Sequence, residues 1–459
     1  MRRVTLSCIA ALLFVPAAHG AEAITLSAAW QAAQAHDPAF AAARAGHEAG
    51  RAQAQQARAL WLPNISALGS AGRGAMDSHT RGAAFAAPGF GSTTGVDFQT
   101  NINGGTATRW SIMAEQPLFD AARLASARGL SVGARMADEQ YRAVQQALML
   151  RTARGYFDVL DARAQLAALD SLRAAAERAG AAAQARYDAG DIPVTDLREA
   201  QAMADAIGVQ QLDARDRLTL AQAAFADLTG LDAAKLATIE GDAGKDAAAA
   251  ETLEAWTRRT LAASPELAMR RLAAEQAAAE VDRHGFLNSP RLSLVAQAGR
   301  ESLRGDGDFG AANVTGRQAS IALQASVPLY TGGLRSAQRH EAQALARKAD
   351  AELDGAEQQV EQRTRSAWLA LRTAAARVQA VDRLRASAES RLDATRTGVE
   401  AGGRTVQELL AAEGDALRAA AEFRHAQTTW LLAGLELAAA AGELGDEGLA
   451  QADRHLVLQ

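Results

Sequence analysis

The chain has 459 residues, with 48 Lys and Arg against 53 Asp and Glu and a formal net charge of −5. That balance argues against a nucleic-acid binder, which would usually be basic, and the length is enough for two or three ordinary domains. Aromatic residues make up only 5% while Ala dominates the apolar class, so the helices must approach closely, as in coiled coils, rather than enclose a bulky core.

Taken in chain order, Arg2 and Arg3 precede a mostly apolar run from Val4 to Val15. Ala18-His19-Gly20 then offers small residues before a cut, so residues 1–20 read as a secretory signal peptide. The residues after Arg3 do not support a twin-arginine signal. Cys8, the only cysteine, precedes most of the apolar run, which argues against a lipoprotein and leaves the mature chain without disulfide or thiol chemistry. No later apolar run reaches the roughly 18 residues of a transmembrane helix. Such an exported chain is periplasmic, secreted or an outer-membrane β-barrel.

The remainder reads as two copies of one plan, 21–240 and 241–442, with a tail at 443–459. Trp30 to Phe40 resembles Trp256 to Leu267, and "EQPLFD" from Glu115 pairs with "SVPLYTGG" from Ser326. The interval from Pro117 to Pro328 and that from Gly190 to Gly402 differ by one residue. Each copy opens with a helix, about 25–60 or 254–286, that stops at Pro63 or Pro290. Two alternating stretches follow, 64–74 and 106–116 in the first copy and 291–300 and 317–327 in the second. In the last, Ala319, Ile321, Leu323, Ala325 and Val327 share one face and Gln318, Ser320, Gln324 and Ser326 the other, which is strand period. Polar, Gly-rich loops separate the strands of each pair.

Pro117 or Pro328 then leads into a long helix, 121–188 or 334–400. Val360, Thr364, Ala367, Leu371, Ala374, Val378 and Val381 mark a heptad seam. Each long helix would span roughly 100 Å. It ends in a turn, 189–193 or 401–404, and a helix of about half the length follows. Pairs of half-length helices stacked end to end match one long helix, with residues 230–251 and the tail at their junction. Four strands cannot close a barrel alone, since eight is about the minimum. The chain should therefore oligomerise around a shared membrane barrel, with the turns at the far end of the long helices.

"QPLFD", "AQARYDAGDIPVTDLREAQA", "PLYTGG" and "GVEAGGRTVQELLAA" resemble the landmark motifs of the TolC family of outer-membrane channels, most similar to its type I secretion subfamily. The resemblance covers nearly all of the mature chain. It implies a mainly α protein with a small β part. Three chains would build a twelve-stranded outer-membrane barrel, four strands from each, continuous with a long periplasmic α-helical barrel. It further implies a homotrimer in the outer membrane of a Gram-negative cell. A periplasmic adaptor and an inner-membrane transporter would dock to it and pass protein or small-molecule cargo. It implies no enzyme activity, catalytic residue, cofactor, metal or nucleic acid.

In that family an acidic constriction closes the periplasmic end. The matching positions are Thr195 and Asp196 in the first copy and Arg404 and Glu408 in the second. Ala411 stands where a second acid often occurs, which leaves at most one ring of three Glu408 carboxylates. Gly190, Gly402 and Gly403 would form the turns and the adaptor contact. Without the resemblance, Asp196 and Glu408 read as acids of helix N-termini, favoured by dipole and capping. "GDGDFG" at 305–310 fits GxGxxG but lies in a polar loop, where Asp306 and Asp308 would repel phosphate. Trp61, Trp110, Phe119 and Tyr330 fall near strand ends and suit an interfacial belt or simple packing. Two other readings are a periplasmic adaptor and a coiled-coil scaffold. The tandem copies with paired strands disfavour both.

Overall fold

A computed structural model describes residues 23–89, 91–239, 243–244, 251–284, 289–308 and 310–457. The expected signal peptide lies outside them. The element order is α1 (Leu26–His36), α2 (Pro38–Ala59), β1 (Asn64–Ala87), β2 (Gly91–Asp120), α3 (Ala121–Asp188), α4 (Val194–Thr229) and β3 (Thr238–Ile239). It continues with α5 (Leu253–Ala263), α6 (Pro265–Arg283), β4 (Arg291–Gly307), β5 (Gly310–Ser326), α7 (Leu334–Glu400), α8 (Val406–Ala440), α9 (Asp446–Asp453) and β6 (Leu456–Val457). The run α5–α6–β4–β5–α7–α8 thus repeats the order α1–α2–β1–β2–α3–α4.

The helix that opens each copy is two helices, not one. Asp37 and Ser264 take extended backbone, and Pro38 and Pro265 start the next helix. A residue before proline is pushed out of the α region, while proline itself suits the first helical position.

The chain forms two compact units. In the first (Met1–His47, Glu139–Ala268 and Gly355–Gln459), the largest core gathers Leu26, Trp30, Phe40, Tyr156, Phe225, Leu435 and Leu449. Its ends are tied by polar contacts. The amides of Leu26 and Ser27 donate to the two carboxylate oxygens of Asp453 at 2.8 and 3.1 Å, capping α1 from the C-terminal segment. Tyr156 Oη lies 2.8 Å from the Ile24 carbonyl and 3.1 Å from that of Ala237, and burial pushes its ionisation well above the usual tyrosine value. β3 pairs with β6. Along α7 the seam positions Val360, Thr364, Ala374, Val378 and Val381 are buried, and Thr364 bonds Thr260 of α5 at 3.1 Å.

The second unit (Glu48–Asp138 and Met269–Asp354) holds a four-stranded antiparallel sheet in the order β1-β2-β4-β5. Its first two strands extend far beyond 64–74 and 106–116: they pair from Asn64↔Glu115 up to Ala87↔Gly91, with register shifts at Gly74/Met76 and near Thr80/Ala83. The polar segment read as a loop is the outer half of this hairpin. It lacks apolar alternation because its side chains are mostly small and polar, and backbone pairing is supplemented by side-chain contacts such as Gln99 Nε2 to Asp77 Oδ1 at 2.9 Å and the Phe85–Phe98 ring pair.

Candidate functional site

Both helical turns lie in the first unit and share one construction. At the end of α3, the Gly190 amide donates to the Tyr187 carbonyl at 2.9 Å and the Asp191 amide to that of Arg186 at 2.8 Å. At the end of α7, Gly402 donates to Val399 at 3.0 Å and Gly403 to Gly398 at 2.8 Å. These are Schellman caps, and the residue that closes each is left-handed: Gly190 at φ 83° and Gly402 at φ 74°. Glycine is required there because a Cβ would meet the following carbonyl oxygen.

The restarts differ. α4 begins after Pro193, which has no side-chain cap, and Thr195 Oγ1 donates to Asp196 Oδ1 at 3.2 Å. α8 begins with a full capping box. The Glu408 amide donates to Thr405 Oγ1 at 3.2 Å, and the Thr405 amide donates to Glu408 Oε2 at 2.8 Å. Glu408 Oε1 accepts from Arg404 Nη1 at 2.9 Å. Both carboxylate oxygens are thus engaged within their own turn. Arg404 pairs with Glu408, and among the described residues no ion pair joins it to Asp196.

The two turns border one groove of about 680 Å³. Arg186, Asp196 and Glu199 line one side and Arg404, Thr405 and Gln407 the other. Beneath it, Leu172, Ala175, Ala176, Ile207 and Leu410 form a small core that joins α3, α4 and α8. Two participants escaped the sequence reading. Thr405 carried a usable signal, since Thr-Val-Gln-Glu is the capping-box pattern. Gly398 carried none: a Cβ there would meet Arg404 Cγ at 2.7 Å, so its smallness makes room for the arginine stem.

The Thr405 backbone N–H, and after it the Arg404 guanidinium, hold the Glu408 carboxyl below the usual glutamate range. A depressed carboxylate contributes capping that is fully present above its unfolded value and is lost as pH falls through the folded one. We expect a carboxyl NMR titration of Glu408 to have its midpoint below that of a model glutamate. Arg404→Gln should raise the midpoint part of the way, because the backbone donor remains. A midpoint that the substitution does not move would exclude the arginine's share.

In the second unit the sheet has two unlike faces. Ile65, Ala67, Trp110, Ile112, Ala114, Leu294, Ala296, Ile321 and Leu323 fall on one, where Ile65, Ile112, Ile321 and Leu323 are exposed. Ser66, Ser111, Glu115, Gln297, Ser320 and Gln324 fall on the other. Trp110, Phe119 and Tyr330 are exposed, whereas Trp61 is half-buried. Within the 305–310 motif β4 ends at Gly307 and β5 begins at Gly310, so a strand and not a helix follows it. Asp308 there accepts from Asn103 Nδ2 at 2.8 Å.

Among the described residues no three His, Cys, Asp or Glu side chains are grouped to hold a metal. No helix there is long and apolar enough to cross a membrane.

The sequence model described as "Outer membrane efflux protein" matches residues 29–231 and again 256–443. The proteases secretion protein PrtF of Dickeya chrysanthemi is 27% identical over 434 residues, covering 94% of this chain and 91% of its own. The alkaline protease secretion protein AprF of Pseudomonas aeruginosa is 28% identical over 416 residues, covering 90% and 83%. The crystal structure of the outer membrane protein VceC of Vibrio cholerae superimposes with a TM-score of 0.69 at 19% identity, covering 91% of this chain and 96% of that one, which shows a shared fold. The protein is accordingly an outer-membrane export channel with a periplasmic helical part, and the family it matches consists of channels, not enzymes. With its family model matched twice over most of its length, the chain belongs to the outer membrane efflux protein family.

Proposed function

We propose that three copies of the chain close one twelve-stranded barrel and that the resulting duct serves type I protein secretion, docked to a periplasmic adaptor and an inner-membrane transporter. The observation that carries the architecture is the sheet: four strands, open at both the β1 and β5 edges, with an exposed apolar face. Open edges are tolerated in a membrane only when they close on another strand. The names of PrtF and AprF support protein cargo, while the family description favours efflux as the second reading.

The mass of the detergent-solubilised assembly and the phenotype of a gene deletion test the two halves separately. We expect three protomers, and loss of a secreted protein from the medium with drug susceptibility unchanged. A monomer would refute the shared barrel. Intact secretion with increased drug susceptibility would transfer the role to efflux.

We further infer that Thr195, Asp196, Arg404 and Glu408 line the constriction at the periplasmic end, with Gly190, Gly402 and Gly403 in the turns that meet the adaptor. The groove shared by the two turns supports this grouping. Opening would rotate these helix ends apart, so groups at the turns set its frequency.

A further inference from the structure

The apolar face of the sheet changes chemistry abruptly along its strands. On β4 it presents Leu292, Leu294, Ala296 and Ala298, and then Arg300, Ser302 and Arg304. The register carries the change across all four strands. Gly69, Trp110, Arg300 and Arg317 lie in one row, Ala71, Thr108, Ser302 and Thr315 in the next, and Arg73, Thr106, Arg304 and Asn313 in the third. From Leu292 to Arg300 the strand rises roughly 27 Å, which at a tilt near 40° is about 20 Å of height, close to the ~25 Å apolar band of a membrane barrel. Aromatic residues mark both margins: Phe119 beside Leu292 and Trp110 beside Arg300. The arginine rows stand toward the two hairpin ends, and the chain leaves the sheet for α3 and α7 from the opposite end. With the helices periplasmic, the arginines lie at the outer-leaflet margin.

Arginines outnumber carboxylates on this part of the face. Arg300 and Arg317 are direct cross-strand neighbours, and like charges so placed repel. Among the described residues none of Arg73, Arg300, Arg304 and Arg317 has an ion pair. Arg109, on the other face, is held by Glu301 at 2.8 Å. The carboxylate on this face of β4, Asp306, lies one step further toward the hairpin end. Thr106, Thr108, Trp110, Arg300, Ser302 and Arg304 enclose a groove of about 360 Å³.

Guanidinium groups and hydroxyls around such a groove suit phosphate oxygens, and the apolar band continuous with it suits acyl chains. We propose that this patch binds the phosphorylated headgroup of an outer-leaflet lipid, with its chains lying along the band below. The proposal rests on the closed-barrel reading, which makes this face the lipid-facing one.

Native mass spectrometry of the detergent-solubilised assembly, titrated with diphosphoryl lipid A, tests it. Phosphatidylcholine serves as the zwitterionic control and inorganic phosphate as the competitor. We expect lipid A adducts on the wild type that inorganic phosphate does not displace. The combined variant Arg300→Gln, Arg304→Gln, Arg317→Gln should bind on the order of tenfold more weakly or worse, since each charge-assisted bond is worth about a factor of ten. Arg109→Gln, which removes a charge from the opposite face, should bind normally. Equal binding by the combined variant, equal uptake of phosphatidylcholine, or displacement by inorganic phosphate would each overturn the proposal. If the combined variant does not assemble, Arg304→Gln alone supplies the same comparison. The spectrum also reports the number of protomers, so a failure of the trimer is visible apart from a failure of lipid binding.

Discussion

Trp30→Ala is expected to destabilise the folded protein by about 3–5 kcal/mol, the range for removing a large aromatic side chain from a packed core. Trp30 is 2% exposed, and its ring meets Phe40 edge-on at 6.1 Å between centroids. Its indole N–H also donates to Asp446 Oδ1 at 3.0 Å. The truncation therefore opens a cavity beside Phe40, and Asp446 loses that donor. α9, which carries Asp446 and Asp453, is thereby loosened from α1. Trp30→Phe keeps a ring in the slot and loses chiefly the hydrogen bond, about 1 kcal/mol. A membrane oligomer does not unfold in two states, so the measurement is a rate: the half-life of heat-induced dissociation, with limited proteolysis after α9 as the local readout. If Trp30→Ala matches the wild type in both, the core drawn around α1 is not what holds the two chain ends.

The contacts at that core show why sequence reading stops where it does. Trp30 and Asp446 are 416 residues apart, and Leu26 and Asp453 are 427 apart. No local pattern announces either pair. The heptad seam of α7 was legible because its buried positions recur every three or four residues, and β5 because its faces alternate. The turns were legible because left-handed backbone requires glycine. The outer half of the β1–β2 hairpin was not, since its mostly small and polar side chains leave no hydrophobic alternation to read. The breaks at Pro38 and Pro265 had a local cause, yet the apolar pattern running through them suggested one continuous helix. At the second turn, the capping reading of Glu408 describes the observed geometry, and the proposed gate role has to coexist with it.

That coexistence yields a sharper expectation for ion selectivity. A Glu408 carboxylate bonded to Arg404 contributes little net field at a constriction, because the two charges nearly cancel a short distance away. The acids bordering the groove that have no ion pair among the described residues come from the first copy, Asp196 and Glu199, with Arg186 beside them. Asp196→Asn combined with Glu199→Gln should therefore lower the cation preference of the resting channel in planar bilayers by a few-fold, on the order expected for removing charge from a narrow pore. Arg404→Ser should act the opposite way, since it releases three Glu408 carboxylates around the trimer and raises cation preference. Glu408→Ala should leave lone arginines, move selectivity toward anions, and weaken the start of α8 by removing the capping box. Glu408→Ala should also change open times, because it removes the capping box that fixes the start of α8, whereas Arg404→Ser leaves that box in place. High salt should shrink the selectivity changes, as screening at 1 M acts over about 3 Å, but should leave the changes in open time that come from capping. If Glu408→Ala changes selectivity as Asp196→Asn does, Glu408 faces the pore as a free charge and the pairing with Arg404 does not persist in the closed assembly. If none of the four substitutions alters conductance or selectivity, the constriction lies elsewhere along the tunnel and the turns serve only to reverse the chain.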